Sequence, residues 1–278
     1  MTKYGQTVIS TNHLLTRLKV LARATLSPRV IRSIKKSLGR YSFDEVDVVH
    51  KFLAEQINSK VMIDVGAHYG ESFSQFLFDG WTVFAFEPDP QNMIFLKNLV
   101  GMQPNLVLDE RGCSNESTEG RAFFRSDIST GISSLSSFDS SHSEAGKIST
   151  VTIADYLREK GISEIGFLKI DTEGHDLFVL QGVPWEEIKP EVVVAEFEDR
   201  KTNDLGYDYH QMAKLLVDNG YTVLISEWHP ISQYGAKHKW NRLRRYPNQL
   251  QSDKAWGNLI AVLDSSFASQ LENEFFIK

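Results

Sequence analysis

One stretch of thirty residues, from Val61 to Pro90, most constrains what this chain can fold into. It begins with a short apolar run that carries β-branched residues and ends at Gly66, a pattern typical of a buried parallel strand. A turn bracketed by Gly66 and Gly70 leads into an amphipathic segment and then into a second apolar run that ends in Glu87. A strand, glycine turn, helix and strand, with an acid about 20 residues beyond the glycines, form a unit that binds a nucleoside.

The glycine spacing in this unit decides which nucleoside it suits. Dinucleotide sites use the pattern G-x-G-x-x-G, in which the middle glycine lets the backbone approach a pyrophosphate. The turn here reads Gly66-Ala-His-Tyr-Gly70, so the middle glycine is absent. The spacing therefore weighs against a nicotinamide-dependent oxidoreductase, which stays open as an alternative. An ordinary strand–helix–strand unit without a ligand is the other alternative.

Composition bounds the size and the compartment of the protein. The chain has 278 residues, of which 41% are hydrophobic and 24% are charged, enough for one α/β domain with a sizeable core and an appendage. Cys113 is the single cysteine, so no intrachain disulfide can form and a reducing compartment is expected. No apolar run approaches the roughly 20 residues of a membrane span. Charged residues interrupt every apolar patch near the N-terminus, unlike a signal peptide, and we expect a cytoplasmic protein.

Charge is distributed unevenly along the chain. Residues 1–43 hold nine Lys and Arg and no acid, whereas the rest holds 21 Lys and Arg against 36 Asp and Glu. The acidic remainder argues against a broad nucleic-acid surface, and no nucleic-acid partner is expected. Apolar positions within 14–21 and 30–38 predict two basic amphipathic helices, and a further helix is predicted over 43–57.

The N-terminal helical arm, residues 1–57, has several interpretations. A basic amphipathic helix attracts anionic headgroups, so residues 1–43 are candidates for peripheral contact at the inner membrane surface or for docking on an acidic partner. Helices that pack on the domain with solvated charges are an equal alternative, and a mitochondrial transit peptide is a third. The domain itself is expected to occupy residues 58–278.

Beyond Glu87 the sequence alternates between helical and extended patterns. Helices are predicted over 90–99, 154–160, 175–180 and 209–219, and strands over 106–108, 121–125, 165–170, 191–198, 221–225 and 259–263. The last two strands have no helix between them, which predicts an antiparallel pair at one sheet edge. Residues 126–150 are rich in serine and are interpreted as a loop, either disordered or a mobile cover over the site.

The predicted strand over 165–170 ends in an unusually polar segment, Asp171-Thr-Glu-Gly-His-Asp176. Three acids and a histidine at the carboxyl end of a buried strand lie where open α/β sheets bind ligands. Asp or Thr here also caps a helix, but capping explains only one or two of these side chains. Together with Glu196, the carboxylates of Asp171 and Glu173 are candidate ligands for Mg²⁺, which stays an open alternative.

Residues 229–254 form a basic insertion between the last two predicted strands. Six Lys and Arg stand against one acid, Asp253, and aromatic side chains are interspersed among them. This composition suits a sugar or a phosphate-bearing acceptor. A solvated basic loop is the alternative.

Four motifs of the sequence together resemble the FkbM-type methyltransferase family. They are V-M-I-D-V-G-A-H-Y-G, A-F-E-P-D-P, T-V-T-I-A-D-Y-L and F-L-K-I-D-T-E-G-H-D-L-F-V-L-Q-G, in this order between Val61 and Glu198. The resemblance implies a Rossmann-like class I methyltransferase fold with a mostly parallel seven-stranded sheet, an antiparallel last strand and an N-terminal helical arm. It also implies S-adenosylmethionine as the methyl donor and O-methylation of a hydroxyl. The chain departs from the family at His68, where asparagine is common, and at Asn115, where an acid is common.

The resemblance also implies roles for particular residues. Contacts with the donor are expected from Asp64, Gly66, His68, Tyr69, Gly70, Ser72, Glu87, Pro88, Ser114, Asn115 and Asp171. Candidates for the base that deprotonates an acceptor hydroxyl are Asp171, Glu173, His175 and His229. The expected acceptor is a small molecule or a glycan, lipid-linked glycans included. A nucleic-acid methyltransferase, disfavoured by the acidic body, and a non-catalytic docking protein with the same fold remain alternatives.

Overall fold

The computed structural model describes residues 43–100, 103–126, 134–135, 142–231 and 238–276, together with the helical positions Val30, Ile34 and Ser37. The predicted helix over 14–21 lies outside the described residues. So do most of the predicted helix over 30–38 and the parts of the serine-rich and basic segments within 127–133, 136–141 and 232–237. In the described part of the chain, no helix is both long and apolar enough to cross a membrane.

Strands and helices alternate along the described chain and are numbered here in chain order. The strands are β1 (Val61–Val65), β2 (Thr82–Phe86), β3 (Leu106–Asp109), β4 (Gly112–Cys113), β5 (Thr118–Ser126), β6 (His142–Val151), β7 (Phe167–Ile170), β8 (Val192–Phe197), β9 (Thr222–Trp228), β10 (Trp240–Arg245) and β11 (Trp256–Val262). The helices are α1 (Glu45–Leu53), α2 (Ser74–Phe78), α3 (Pro90–Val100), α4 (Ile153–Lys160), α5 (Asp176–Gln181), α6 (Asp199–Thr202), α7 (Tyr209–Asp218) and α8 (Ser265–Phe276).

The central sheet has eight strands in the order β10-β9-β11-β8-β7-β1-β2-β3. β1 pairs in parallel with β2 on one side and with β7 on the other, so the strand before the glycine turn and the strand before the acidic segment are neighbours. β11 runs antiparallel to both β8 and β9, which confirms the mostly parallel sheet with a reversed last strand. The predicted class I methyltransferase fold is therefore confirmed.

The eighth strand, β10, corrects the expectation of seven. It lies within the basic insertion over 229–254, for which no strand was predicted, and pairs antiparallel with β9 at the sheet edge. Only Trp240 and Leu243 are apolar in its sequence, so the strand lacks a clear apolar alternation. Charged side chains on an edge strand protect its open backbone from pairing with another chain. The same charges hide the strand pattern in the sequence of β10.

A small second sheet, in the order β4-β6-β5, packs beside the carboxyl end of the main sheet. β6 occupies the last third of the segment over 126–150 that was predicted to be a serine-rich loop, and it pairs antiparallel with β5. Residues 143–147 of β6 are exposed, so burial imposes no apolar pattern on this part of the sequence. The backbone bonds to β5, rather than apolar side chains, define this strand.

The main sheet buries both of its faces, as parallel sheets usually do. Met62 of β1 and Val83 of β2 face one apolar layer, which includes α1, α2, α3 and α8. Ile63 and Val65 of β1 face the other layer, which includes α4, α5 and α7. Because side chains alternate along a strand, these short apolar runs hold the carboxyl ends of β1, β2 and β7 at one rigid edge.

Candidate active site

A cleft with a cavity volume of about 230 Å³ opens at the carboxyl ends of β1, β2 and β7. Polar and apolar side chains share its wall. The lining residues are Val65, Gly66, His68, Phe86, Glu87, Pro88, Asn92, Gly112, Cys113, Phe123, Ser134, Leu135, Asp171, Thr172, Glu173 and His175. The cleft therefore brings together residues from the glycine turn, from the end of β2 and from the acidic segment after β7.

Gly66 connects the first of these motifs to the last. Its φ angle is +82°, and a Cβ atom at this position would overlap the carbonyl oxygen of Asp171. The Asp171 amide also donates to the Val65 carbonyl at 3.0 Å. Only glycine combines a positive φ with such a close approach of two backbones, so this residue fixes the separation between the turn and the acidic segment.

Glu87 is 5% exposed and holds the glycine turn. Its carboxylate accepts from the backbone amides of His68, at 2.7 Å, and Asp89, at 2.8 Å. Burial raises the pKa of Glu87 to about 7, and the hydrogen bonds from Asp89, His68 and Asn92 oppose this rise. Glu87 is therefore a buried acceptor with a wall position in the cleft.

His68 adopts a φ angle of +48°, in the left-handed region. Histidine and asparagine tolerate this region better than most residues, so the departure from the asparagine common in the family leaves the turn conformation accessible. Burial lowers the pKa of His68, and its ring packs on that of Tyr69 with centroids 3.9 Å apart. Tyr69 and Gly70 do not line the cleft among the described residues, whereas Pro88 does.

Asp64 and Ser72 lie beneath the turn and are absent from the cleft lining. Asp64 is fully buried, accepts a hydrogen bond from the Ser72 hydroxyl and lies 3.2 Å from Lys169 Nζ. Lys169 also donates to the Gly66 carbonyl at 2.8 Å and lies 3.4 Å from a carboxylate oxygen of Asp171. Burial alone would lower the pKa of Lys169, but Asp64 and Asp171 outweigh burial and raise it. The ammonium group of Lys169 thus joins both motif segments, a link that sequence reasoning did not predict.

Asp89 and Asn92, which follow Glu87 in the sequence, were not predicted as site residues. Asp89 is fully buried and accepts two hydrogen bonds from Arg125, at 2.9 and 3.0 Å. This pair ties the end of β2 to the small sheet that covers the cleft. Asn92 lines the cleft and is 2% exposed. The run E-P-D-P-Q-N after β2 contains both residues, but polar residues at the start of a helix are common for capping reasons alone.

Ser114 and Asn115 are not in the cleft lining, where Gly112 and Cys113 take the predicted place. The Ser114 hydroxyl is buried, lies 3.0 Å from His175 Nε2 and accepts from Arg121 at 2.9 Å. β4 pairs with β6 up to Cys113, and the chain then turns Ser114 into the interior. Asn115 is exposed. Its predicted contact with a donor therefore lacks a position in the cleft.

The two predicted histidine bases differ sharply in position. His175 lines the cleft but is fully buried, and burial, aided by Arg121, lowers its pKa to about 3. Its imidazole is therefore neutral and a poor proton acceptor near neutral pH. His229 is exposed, is not part of the cleft lining, and its carbonyl accepts from Trp256 at 3.1 Å. The structure does not bring His229 together with the acidic segment.

Acids cluster around one buried lysine beside the cleft. Lys201 is 4% exposed and lies 2.5 Å from Glu173, 2.8 Å from Glu198 and 3.5 Å from Glu196. Glu173 has a φ angle of +55°. Burial raises the pKa of Glu173 to about 7, and Lys201 opposes that rise.

The predicted Mg²⁺ ligands lie together within this cluster. Carboxylate oxygens of Asp171, Glu173 and Glu196 lie within 4.8 Å of one another. The ammonium group of Lys201 already pairs with Glu173 and Glu196, so a positive charge is present at the position where the metal was considered. Metal dependence stays a hypothesis.

Comparison with known proteins gives a family match and distant structural similarities. The model of the methyltransferase FkbM domain matches residues 64–223. No curated protein sequence matches the chain. A methyltransferase FkbM from Methylobacillus flagellatus is similar at 17% identity and a TM-score of 0.44, over 73% of this chain and 43% of that one. The chain thus spans less than half of that protein's length.

Two further solved structures are similar over most of their length. A precorrin-6y C5,15-methyltransferase from Geobacter metallireducens has 16% identity and a TM-score of 0.40, over 78% of this chain and 86% of that one. A putative caffeoyl-CoA O-methyltransferase from Staphylococcus aureus has 12% identity and a TM-score of 0.40, over 90% of this chain and 99% of that one.

Proposed function

Because the chain belongs to the FkbM methyltransferase family, we propose that it transfers a methyl group from S-adenosylmethionine to a hydroxyl of a small or glycan acceptor. The observation that carries this proposal is the cleft that joins Glu87 to Asp171 across the Gly66 turn. A buried hydrogen-bond acceptor lies at the β2 side of this cleft and a more exposed carboxylate lies at the β7 side. Methyl transfer needs such a pair, one group to hold a donor and one to meet an acceptor.

The wall of the cleft fits an adenosyl donor better than a dinucleotide. Glu87 and Asn92 offer buried acceptors for hydroxyl groups. Among the described residues that line the cleft there is no lysine or arginine, and a pyrophosphate would need such a cation or a row of open backbone amides. These features favour a methyltransferase over a nicotinamide-dependent oxidoreductase.

The chain itself has to align an acceptor and remove its proton. When bound, S-adenosylmethionine supplies a methyl group that is already activated as part of a sulfonium. Asp171 lines the cleft, its side chain is 41% exposed, and Lys169 and the backbone bond to Val65 hold it in place. A carboxylate fixed in this way can accept a hydrogen bond from an incoming hydroxyl and orient it for in-line attack.

Asp171 is a better candidate for this role than the other predicted bases. Glu173 is bonded to Lys201, so the lysine competes with any acceptor for its carboxylate. His175 holds a proton poorly, since its pKa is lowered to about 3, and His229 is outside the cleft lining. Magnesium has no step in this mechanism, because Lys201 already pairs with two of its three predicted ligands.

The acceptor is proposed from the chemistry of the open side of the cleft. Phe123 and Leu135 provide apolar surface in the same cleft as the polar Asp171, a combination that suits a sugar ring or a similar hydroxylated molecule. The proposed acceptors include lipid-linked glycans, because the nine basic side chains of residues 1–43 would attract an anionic membrane surface.

Binding and transfer experiments test the proposal in two steps. Calorimetric titration with S-adenosylhomocysteine tests the donor site, and a radiolabelled-methyl screen against oligosaccharides and lipid-linked sugars identifies the acceptor. With an acceptor in hand, we expect Asp171→Asn to keep the S-adenosylhomocysteine affinity and to lower the transfer rate by roughly 10²-fold or more. Asp253→Asn, at an exposed position in the basic insertion, is the matched control. A protein that does not bind S-adenosylhomocysteine would refute the proposed donor.

The experiment also separates two readings of Asp171. If Asp171 only stabilised the following turn, asparagine would serve nearly as well, since both residues cap helices. A D171N variant with a near wild-type transfer rate would remove Asp171 from the mechanism. An unchanged rate after treatment with a chelator is expected, because the mechanism uses no metal.

A further inference from the structure

The wall of the cleft beside Glu87 contains a buried acceptor atom without a partner. Asn92 lies in the first turn of α3, is 2% exposed and lines the cleft. Its side chain hydrogen-bonds to Glu87, yet its Oδ1 atom has no hydrogen-bond partner among the described residues. The amide nitrogen therefore makes the bond to Glu87. A buried amide oxygen without a donor is an unfavourable arrangement that folded proteins usually avoid.

Donors within the protein already use most of the acceptor capacity of the Glu87 carboxylate. A carboxylate has about four acceptor positions. Three donors already use them, namely the backbone amides of His68 and Asp89 and the side-chain amide of Asn92. About one position is left by this count, whereas the two adjacent hydroxyls of a ribose offer two donors. A second acceptor in the same part of the wall would take the other hydroxyl.

We propose that Asn92 Oδ1 is this second acceptor, so that Glu87 binds one ribose hydroxyl of the donor and Asn92 binds the other. The inference rests on the proposed function, since it assumes an adenosyl group in the cleft. It gives the buried amide oxygen of Asn92 a hydrogen-bond donor. It also assigns a binding role to a residue outside the predicted donor contacts, and it makes the cleft selective for an intact ribose diol.

A purely structural role for Asn92 makes a different prediction. In that case Asn92 only supports the Glu87 carboxylate through its amide nitrogen, and its loss weakens binding without regard to which hydroxyl the ligand carries. If Oδ1 binds one hydroxyl, loss of Asn92 and loss of that hydroxyl remove the same hydrogen bond. Their effects on affinity are then not additive.

Calorimetric titrations with S-adenosylhomocysteine and its 2′-deoxy and 3′-deoxy analogues distinguish the two roles. We expect the wild type to bind each deoxy analogue about tenfold more weakly than S-adenosylhomocysteine, the loss of one hydrogen bond in a buried site. We expect Asn92→Ala to bind S-adenosylhomocysteine about tenfold more weakly and to lose discrimination against one analogue only. Asn98→Ala is the matched control, because Asn98 lies on the same helix, is exposed and donates to the Ile94 carbonyl.

The melting temperature provides a second readout, and the outcomes separate failure of this inference from failure of the proposed function. Asn92→Leu removes both the amide oxygen and the amide donor to Glu87, so its melting temperature is expected to stay close to that of the wild type while its affinity falls. If the Asn92→Ala protein is unstable, the titrations are carried out with Asn92→Leu instead. Asn92 variants that keep the wild-type discrimination against both analogues would overturn the inference. A wild type that fails to bind S-adenosylhomocysteine would instead overturn the proposed function.

Discussion

Replacing Glu87 by glutamine should abolish a pH dependence of donor binding that the structure predicts. Glu87 has a pKa of about 7 because burial disfavours its charged form. Hydroxyl donors stabilise the carboxylate, so a bound ribose should lower this pKa and the charged form should be the one that binds. If only the carboxylate binds, affinity is expected to be about tenfold weaker at about pH 6 than at about pH 8, with little further change above that.

The raised pKa of Glu87 also makes the free energy of unfolding depend on pH, and this dependence runs in the opposite direction to that of donor binding. Because the folded-state pKa of Glu87 lies above its ordinary value of 4.5, the folded protein binds more protons than the unfolded chain between about pH 4.5 and 7. Its contribution to the free energy of unfolding therefore falls across this window as pH rises, by roughly 3 kcal/mol in total. A bound donor should restore part of this loss above pH 7.

Calorimetric titration with S-adenosylhomocysteine between about pH 6 and 8 measures the effect, and two buffers of different ionisation enthalpy give the number of protons released. About half a proton should leave the wild type near pH 7. Glu87→Gln should bind more weakly with a flat pH profile. Glu173 also has a pKa raised to about 7, so Glu173→Gln is the control that should keep the slope. A flat profile in the wild type, or a slope that persists in Glu87→Gln, would refute the reasoning.

Three further predictions concern the turn, the cysteine and the arm. Gly66→Ala should lower the free energy of unfolding by about 2–4 kcal/mol more than Gly80→Ala, because both glycines have φ near +80° but only Gly66 faces a backbone carbonyl; equal losses in urea unfolding would contradict the close approach. Cys113 lines the cleft, is 2% exposed and has a pKa raised by burial, so its alkylation, followed by intact mass, should be slow and slower still with S-adenosylhomocysteine. Deleting residues 1–43 should reduce flotation with anionic vesicles but not with neutral ones, since each basic residue near such a surface adds about 1 kcal/mol; equal flotation without the arm would contradict membrane docking.

The parts of the fold that sequence patterns predicted well are those under strong local constraint. β1 and β2 begin and end where the apolar β-branched runs begin and end, because a doubly buried parallel strand tolerates few polar residues. Two of the missed strands, β6 and β10, have little burial on one side, and the third, β4, is only two residues long. Their existence depends on backbone pairing with distant strands, and a local pattern does not record such pairing.

The site residues also divide into those that the sequence predicts and those that it does not. Gly66, Glu87 and Asp171 could be placed together from the sequence, because parallel strands bring their carboxyl ends to one edge. Lys201 and Arg125 could not, since each meets its acid across a gap in the sequence, 28 residues for Glu173 and 36 for Asp89. Asn92 was missed for a different reason. Its polarity suits a helix surface, yet the position is buried.

The position of Asp171 among the acids follows from strand geometry. Lys169 and Asp171 are two residues apart at the end of β7, so their side chains project to the same side. The register of β1 with β7 places Asp64 opposite Lys169, and one ammonium group thus lies between two carboxylates. Side-chain exposure is 41% for Asp171 but 18% for Glu173, 12% for Glu196 and 3% for Glu198.

These exposures separate two functions within one acidic cluster. The three less exposed acids converge on Lys201. Removing that lysine would leave Glu173 and Glu196 without it, whereas Glu198 would keep its pair with Arg200 at 2.8 Å. Breaking a buried ion pair destabilises proteins by about 3–5 kcal/mol. Asp171 instead pairs with Lys169 at 3.4 Å, lines the cleft and keeps 41% of its side chain exposed. Under the proposed function, Asp171 is therefore the carboxylate of this cluster that we expect an acceptor hydroxyl to meet, because its neighbours fix it and leave it the most exposed of the four.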